Sequence, residues 1–348
     1  MKVAILGAGG VALATAAMLD RAGHETIVWS PSGAGTRGLE GTDLVASGVF
    51  EARLRPALAR TAGEAVSGAD TVIVALPANG HRLVFDAALP HFRSGQTIII
   101  SAQLSMGTLY VEQGLKARGI DATVIALATT VVMGRRTGPA SVAIGGIRTL
   151  LEIAVLPAAR AAEGLQICRH LFGDRFRLAQ NLTAIALSNL NPPIHMASAL
   201  CNFTRIEKGE YWANYDGITP SVARLIEALD AERLATAAAH GVRVRTVQEH
   251  YRLTFGFPEG MTLAGMAAAV HEKRKGPPGP TSVETRFVTE DIPFGIMQVI
   301  VLAREKGVPV PLHDAGVALF CALYGRNFMA ENDLLPAVGY SLEPSSMP

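Results

Sequence analysis

The first thirty residues constrain the fold more than any other part of the chain. Residues 3–30 read VAILGAGGVALATAAMLDRAGHETIVWS: a short β-rich run, a glycine-rich turn, an alanine-rich helical stretch and a second β-rich run. In the turn, Gly7, Gly9 and Ala12 have the spacing GxGxxA, and Gly10 follows the second glycine. The first glycine permits a tight turn, the second lets the backbone approach a pyrophosphate, and the small third residue allows close helix–strand packing. The segment predicts a dinucleotide-binding unit.

Further β-rich runs continue this pattern through the first half of the chain. They are apolar throughout rather than alternating, which favours a parallel sheet covered on both faces by helices. The runs are TVIVALP (71–77), TIIIS (97–101), ATVIAL (122–127) and SVAIGG (141–146). The predicted fold class is therefore α/β: an N-terminal Rossmann-type, doubly wound parallel sheet, followed by an all-α C-terminal domain.

The second half of the chain carries long apolar-periodic stretches and lacks strand-like runs. One such stretch, Phe294–Lys306, is interpreted either as a homodimer interface or as part of the core. We place the domain boundary after residue 182, because RFRLAQ (175–180) is predicted to form one last edge strand. The predicted domains are 1–182, which binds the dinucleotide, and 183–348, which is helical. The other stretches are Leu150–Phe172, Thr183–Ser188, Pro220–Gly241, Leu263–Arg274 and Ala315–Tyr324.

Composition limits the partners of this chain. Its 31 Lys and Arg against 30 Asp and Glu leave a net charge of +1, so we expect neither nucleic acid nor a membrane surface as a partner. The three cysteines, Cys168, Cys201 and Cys321, are far apart and lack CxxC spacing, and the histidines are dispersed, so no metal site is predicted. The N-terminal residues lack the layout of a signal peptide, which favours a cytoplasmic protein.

The end of the second strand bears on the choice of nicotinamide cofactor. NAD-selective sites place Asp or Glu there to accept the ribose 2′-hydroxyl hydrogen bond. This chain instead has Ser30, Ser32, Thr36 and Arg37, whose hydroxyls and guanidinium suit a 2′-phosphate. We therefore predict NADP rather than NAD, although the same residues would also fit a solvated loop.

A third part of the cofactor site is predicted where the run at 71–77 ends. Ligands of open α/β sheets bind at the carboxyl edge of the strands, so Leu76 and Pro77 could contact the cofactor. A plain strand-terminating proline would give the same sequence. His81, a few residues later, is expected to face solvent.

The segment NLNPPIH (189–195) concentrates helix-breaking residues ahead of a histidine. Asn191 before Pro192 is interpreted as a helix N-cap, which places His195 in the first turn of an amphipathic helix that runs toward Ile206. A histidine held at such a corner suits general acid/base chemistry. A capping segment whose histidine faces water is the alternative.

A second dense segment, TRFVTEDIPFG (285–295), places Arg286 five residues before Asp291. Together with Asn191 and His195 in the Asn-Pro-x-x-His corner, it resembles the opine dehydrogenase family. The resemblance also includes the GxGxxA unit and the segment DGITPSVARLIEALDAERLATAAAHGV (216–242), and it covers essentially the whole chain.

The resemblance implies a reaction and a set of roles. Members of this family condense the amine of an amino acid with a 2-oxo acid such as pyruvate and reduce the resulting imine with hydride from a nicotinamide. By this resemblance, His195 is the proton donor and acceptor, and Asp291 orients it and stabilises its charged form. Arg286 would bind a substrate carboxylate bidentately, and Asn191 would hydrogen-bond the substrate.

Three other functions stay open at this point. An imine reductase of the same mechanism would accept plain amines and ketones. A ketopantoate-type reductase of keto acids would share the Rossmann-plus-helices layout but would rely on a catalytic lysine, for which Lys208 is the candidate near the corner. A non-catalytic dinucleotide-sensing protein would keep Gly7 and Gly9 without needing His195 and Asp291 together.

Overall fold

In the computed structural model, the chain divides into two compact units, Met1–Ile185 (the N-terminal unit) and Ala186–Pro348 (the C-terminal unit). The structure describes residues 1–274 and 276–342. The boundary between the units and the boundary predicted from sequence both fall inside one helix, Leu182–Ser188.

The N-terminal unit is built on an eight-stranded sheet, which confirms the predicted fold class. The strand order is β12-β11-β8-β7-β6-β1-β2-β5, and every pair is parallel except β11 with β8. Its central strands are buried along their whole length, as expected of a sheet covered on both faces. The strands are β1 Lys2–Leu6, β2 Glu25–Trp29, β5 Ala57–Leu58, β6 Thr71–Val74, β7 Thr97–Ile100, β8 Thr123–Leu127, β11 Leu151–Leu156 and β12 Phe176–Leu178.

A second sheet of four strands, in the order β4-β3-β10-β9, was not anticipated. The run at 141–146, expected in the main sheet, forms β10 of this second sheet. It pairs with β9 in an antiparallel hairpin. The strands are β3 Leu44–Gly48, β4 Ala52–Leu54, β9 Val132–Gly138 and β10 Ser141–Ile147. Strands β3 and β9 carry glycine, and serine or arginine, among their apolar residues, so they lack the continuous apolar signal of a buried parallel strand.

The helices of the N-terminal unit alternate with the strands of the main sheet, as doubly wound topology requires. The stretch Leu150–Phe172, predicted to be helical, is instead strand β11 followed by a helix, because its first six residues are β-rich and add to the sheet next to β8. The expected edge strand at 175–180 is present as β12. The helices are α1 Gly10–Arg21, α2 Ala62–Ser67, α3 His81–Ala88, α4 Gly107–Lys116 and α5 Ala161–Phe172; α6, Leu182–Ser188, spans the boundary.

The C-terminal unit is helical over its described residues, as predicted. Its residues Met297–Ala303 are all buried, so the stretch at 294–306 belongs to the core of this unit rather than to a free apolar face. No helix within residues 1–274 and 276–342 has the length and apolarity to cross a membrane. The helices are α7 Asn191–Cys201, α8 Phe203–Glu207, α9 Pro220–Ala239, α10 Val247–Phe255, α11 Leu263–Arg274, α12 Arg286–Thr289, α13 Met297–Glu305 and α14 Pro311–Tyr324, and a π-helix, Asp291–Ile296, lies between α12 and α13.

Candidate active site

The glycine-rich turn between β1 and α1 has the geometry that a dinucleotide requires. Gly7 has a φ of +130°, which favours glycine, and a Cβ there would overlap the carbonyl oxygen of Ala75. Gly9 is the N-cap of α1, and no atom lies within 4 Å of the position that its Cβ would take. The open space and the unpaired N–H groups of the first turn of α1 leave room and donors for a phosphate.

The start of α1 packs directly against the second sheet. A Cβ on Gly10 would approach the backbone nitrogen of Arg136 to 2.8 Å and overlap the carbonyl oxygen of Gly134 on β9. Ala12 is fully buried, as expected of the small third residue of the motif. The glycine at position 10 therefore serves helix packing, while Gly9 leaves the phosphate side open.

The loop after β2 is ordered by its own polar side chains. The Ser32 hydroxyl accepts a hydrogen bond from the Ala34 N–H at 3.3 Å, and the Thr36 hydroxyl donates to the Gly33 carbonyl at 3.1 Å. Ser30 is half-buried, and Arg37 is exposed at the start of a short 3-10 helix. Of the four predicted residues, Ser30 and Arg37 thus make no side-chain hydrogen bond within the described part of the chain.

The carboxylate of Asp43, near the loop after β2, is bound to two arginines. Asp43, at the end of this loop, accepts hydrogen bonds from Arg55 at 2.9 Å and from Arg53 at 3.4 Å. These guanidinium groups, Arg55 first, hold the pKa of Asp43 below its usual range. The end of β2 therefore carries serine where an NAD-selective site carries an acid.

The turn after β6 is fixed by a buried histidine. Leu76 is half-buried and Pro77 is exposed, and the Nε2–H of His81 donates to the Leu76 carbonyl oxygen at 3.0 Å. The expectation that His81 faces solvent was wrong, because only 1% of the residue is exposed. Burial lowers the pKa of His81 to about 4, so the imidazole is neutral at physiological pH and holds the turn as a donor.

In the C-terminal unit, the structure brings His195, from the segment 189–195, together with Asp291, from the segment 285–295. The Nδ1 atom of His195 lies 2.7 Å from Oδ2 of Asp291. The side chains are 11% and 7% exposed. Because a carboxylate can only accept, the Nδ1–H donates, and this fixes the tautomer that leaves Nε2 as the free ring nitrogen. No described residue makes a hydrogen bond to Nε2.

The crowded segment before His195 is the beginning of α7. Asn191 is the first residue of the helix rather than its N-cap, and its N–H donates to the Asn189 side chain at 3.1 Å. The N-cap is Leu190, and the Asn189 side-chain oxygen accepts the first N–H of the helix, so Asn191 has no capping role. Pro192 and Pro193 occupy first-turn positions whose N–H groups would have no partner within the helix, so the two prolines cost no hydrogen bonds. The helix also ends earlier than expected, at Cys201.

Asp291 is held by the π-helix, whose start it forms. A Cβ on Gly295 would lie 2.8 Å from Cβ of Pro192 and would overlap its ring, so the π-helix meets the first turn of α7 without an intervening side chain. On the other side, the Asn332 amide donates to the Pro293 carbonyl at 2.6 Å. These contacts fix the distance between the imidazole and the carboxylate.

Phe287 is a part of this site that the sequence did not reveal. Its ring stacks on the imidazole of His195, with a centroid distance of 3.6 Å and an angle of 7° between the planes. One face of the His195 ring therefore packs against Phe287, and its Nδ1 edge contacts Asp291. The only signal in the sequence was the position of Phe287 within the Arg-x-x-x-x-Asp segment, which does not specify stacking.

Two predicted substrate-binding residues have free side chains. Arg286, the first residue of α12, is exposed, and Asn191 is half-buried. Neither side chain makes a hydrogen bond or an ion pair within the residues that the structure describes. Lys208, the candidate for lysine-dependent chemistry, is exposed at the end of the short helix α8.

Two family models match separate parts of the chain. The one described as "NAD/NADP octopine/nopaline dehydrogenase, alpha-helical domain" matches residues 178–324, and the one described as "Ketopantoate reductase PanE/ApbA" matches residues 3–156. The first therefore includes the segments that contribute His195 and Asp291, and the second includes the glycine-rich turn.

Known proteins resemble the chain over nearly its whole length. The opine dehydrogenase of Arthrobacter sp. (strain 1C) is 29% identical, with 97% of this chain and 95% of the relative aligned. The structure of octopine dehydrogenase in complex with NADH and agmatine has a TM-score of 0.81 at 19% identity, covering 97% of this chain and 96% of the other. Yersinopine dehydrogenase with NADP+ bound has a TM-score of 0.72 at 16% identity, covering 98% and 96%.

Proposed function

We propose that the chain, which is similar to opine dehydrogenases over nearly its whole length, is an NAD(P)H-dependent dehydrogenase that joins an amine to a 2-oxo acid. The amine is that of an amino acid or a simple amine, and the oxo acid is of the pyruvate type. The observation that carries the proposal is the hydrogen bond between His195 and Asp291, which come from two of the segments that resemble the family.

The glycine-rich turn fits the nicotinamide dinucleotide that this reaction needs. Gly7 provides the turn, Gly9 leaves space at the phosphate position, and the first turn of α1 offers N–H donors to the pyrophosphate. When bound, the reduced cofactor supplies a hydride to the carbon of the imine. The residues of the chain bind the two substrates, move protons and orient the reacting groups.

His195 handles the protons of the condensation in this proposal. Condensation of an amine with a 2-oxo acid releases one water, and its reduction adds one hydride and one proton. The free Nε2 atom exchanges protons with the substrate, while Asp291 holds Nδ1 and stabilises the imidazolium. The stacked ring of Phe287 prevents rotation of the imidazole between these steps.

Arg286 and Asn191 are assigned to substrate binding. A free, exposed guanidinium can hold a carboxylate with two parallel hydrogen bonds, and both substrates of an opine dehydrogenase can carry a carboxylate. The Asn191 side chain, which is not used as a cap, is available to hydrogen-bond the substrate.

NADP is the preferred cofactor in this proposal, with NAD as the alternative. The support is that the chain has Ser30, and not a carboxylate, at the end of β2. Asp43, which follows later in the chain, is paired with Arg53 and Arg55. An acid there would repel a 2′-phosphate, whereas hydroxyls accommodate it.

The experiment that tests the function is cofactor oxidation with combinations of substrates. We expect NADPH oxidation to require both an amine and pyruvate or glyoxylate. Oxidation with a keto acid alone would indicate a ketopantoate-type reductase, oxidation with plain amines and ketones an imine reductase, and tight binding without turnover a sensing protein.

Substitutions then test the assigned roles. His195→Ala should lower the rate by roughly 10²- to 10⁴-fold while leaving cofactor affinity nearly unchanged. Lys208→Ala, at an exposed position of the same unit, is the control and should retain full activity. Arg286→Ala should raise the Michaelis constant for the carboxylate-bearing substrate. A His195→Ala variant with wild-type speed would contradict the assignment.

A further inference from the structure

Arg136, on strand β9 of the second sheet, reaches the dinucleotide turn. Its Nη1 donates to the carbonyl oxygen of Ala8, inside the GxGxxA motif, at 3.0 Å and to that of Gly35, in the loop after β2, at 2.7 Å. Its Nε donates to the Gly138 carbonyl at 3.1 Å, and its Nη2 donates to the Pro139 carbonyl. One guanidinium therefore joins the glycine-rich turn, the loop after β2 and the tip of the β9–β10 hairpin.

The charge of this guanidinium has no carboxylate partner. All four acceptors are neutral carbonyl groups, and no acid in residues 1–274 and 276–342 forms an ion pair with Arg136. The residue is half-buried, so part of its hydration is lost. Removing a cation from water without an anion is costly, and such groups are normally paired with a carboxylate or a phosphate. The missing anion points to a ligand.

The guanidinium also lies where the adenosine ribose of a dinucleotide is recognised. The position that a Cβ on Gly35 would take is 3.1 Å from Oγ of Ser30 and 2.8 Å from Cβ of Ala8. Gly35 is thus in contact with the residue that replaces the ribose-binding acid at the end of β2, and Arg136 is bonded to its carbonyl. A guanidinium has five N–H donors, four of which are used here, so one Nη2–H remains for an anion.

We propose that Arg136 is a specificity-determining residue, which supplies the positive charge and one hydrogen bond for the 2′-phosphate of NADP. This inference rests on the proposed function, in that the turn must bind a nicotinamide dinucleotide. Arg136 is held by four hydrogen bonds, whereas the exposed Arg37 is held by none within the described residues. Arg136 is therefore pre-organised for the phosphate, and Arg37 would lose side-chain freedom on binding.

The test is direct binding of NADPH, NADH, adenosine 2′,5′-bisphosphate and adenosine 5′-monophosphate, measured by calorimetry. Arg136→Met removes the charge and keeps a long side chain. Arg136→Lys keeps the charge but lacks the planar set of N–H donors of a guanidinium. Arg135→Met, at the exposed neighbouring position on β9, is the matched control. We expect Arg136→Met to weaken NADPH and the bisphosphate by about 10- to 100-fold more than NADH and the monophosphate. Arg136→Lys should show a smaller loss, and Arg135→Met none.

The outcomes separate this inference from the proposed function. If Arg136→Met lost equal affinity for ligands with and without the 2′-phosphate, Arg136 would only hold the loops in place, and the inference would be overturned. Wild-type protein that binds NADH but has no preference for NADPH would also overturn it, while leaving the dehydrogenase function intact. Wild-type protein that binds no dinucleotide would refute the proposed function itself. If Arg136→Met does not fold, two other measurements decide. The inference would be overturned if Arg136→Lys kept the wild-type preference for NADPH over NADH and if high salt left the preference of the wild-type protein unchanged.

Discussion

His81 makes the N-terminal unit sensitive to acid within a defined pH window. The imidazole is 1% exposed, and burial lowers its pKa from 6.5 to about 4. Between these two values, the unfolded chain binds a proton that the folded chain does not. Unfolding is therefore favoured progressively as the pH falls from about 6.5 to about 4, and the contribution of neutral His81 is fully present only above this window.

The magnitude follows from the two pKa values. At pH 5, nearly all unfolded molecules carry the proton and about one folded molecule in ten does, so the free energy of unfolding should fall by about 1.2 kcal/mol per pH unit because of His81. Integrated from pH 8 to pH 5, the loss is about 2 kcal/mol. This is a large share of the stability of an ordinary domain.

The measurement is urea unfolding between pH 4.5 and pH 8, followed by tryptophan fluorescence. The chain has two tryptophans, and Trp29, which is buried at the end of β2, reports on the N-terminal unit once Trp212 is replaced by phenylalanine. His81→Gln, which can still donate to the Leu76 carbonyl, should remove the extra slope. His91→Gln removes an exposed histidine and should not. A wild-type slope equal to that of His81→Gln would refute the reasoning.

Three further substitutions test the sites. Asp291→Asn should lower the rate by roughly 10²- to 10⁴-fold, because the amide can donate to Nδ1 and favour the wrong tautomer of His195; steady-state kinetics with unchanged cofactor affinity checks this. Phe287→Leu should lower kcat by roughly 2- to 10-fold through the lost stacking, with Phe287→Tyr restoring it, and equal rates in Leu and Tyr variants would count against a positioning role. Gly7→Ala should cost roughly 1–3 kcal/mol or more, seen as a lower urea midpoint, because φ is +130° and the methyl meets the Ala75 carbonyl.

The sequence predicted those elements whose signal is local. The strand–turn–helix unit around Gly7 and the buried parallel strands have strong local patterns, and the structure contains both. The second sheet contains the polar, glycine-containing strand β9, which carries Arg136 and which an apolar criterion does not predict. The early β-rich residues of Leu150–Phe172 share their apolar character with the helical residues that follow, so periodicity alone predicts one helix where the structure has a strand and a helix.

Pairings between distant segments were beyond local reasoning. The residues alone placed His195 at a helix start but could not join it to Asp291; the family resemblance supplied that pair, and the structure contains the hydrogen bond. Stacking by Phe287 and burial of His81 depend on how helices pack, which a single sequence does not encode in a readable spacing. The N-cap prediction at Asn191 was wrong because the helix begins at this residue, and its N–H donates to the Asn189 side chain.

The contact between Gly295 and Pro192 sets the distance between the two residues of the proposed acid/base pair, His195 and Asp291. Any side chain at position 295 would wedge the π-helix away from the first turn of α7, and a separation of even one ångström would break the bond between carboxylate and imidazole. In a saturation mutagenesis screen for turnover, we therefore expect substitutions at position 295 to lower activity as much as substitutions of the proposed acid/base pair. A pure loss of kcat at such a site would report spacing rather than chemistry, and directed evolution of this scaffold should leave it untouched.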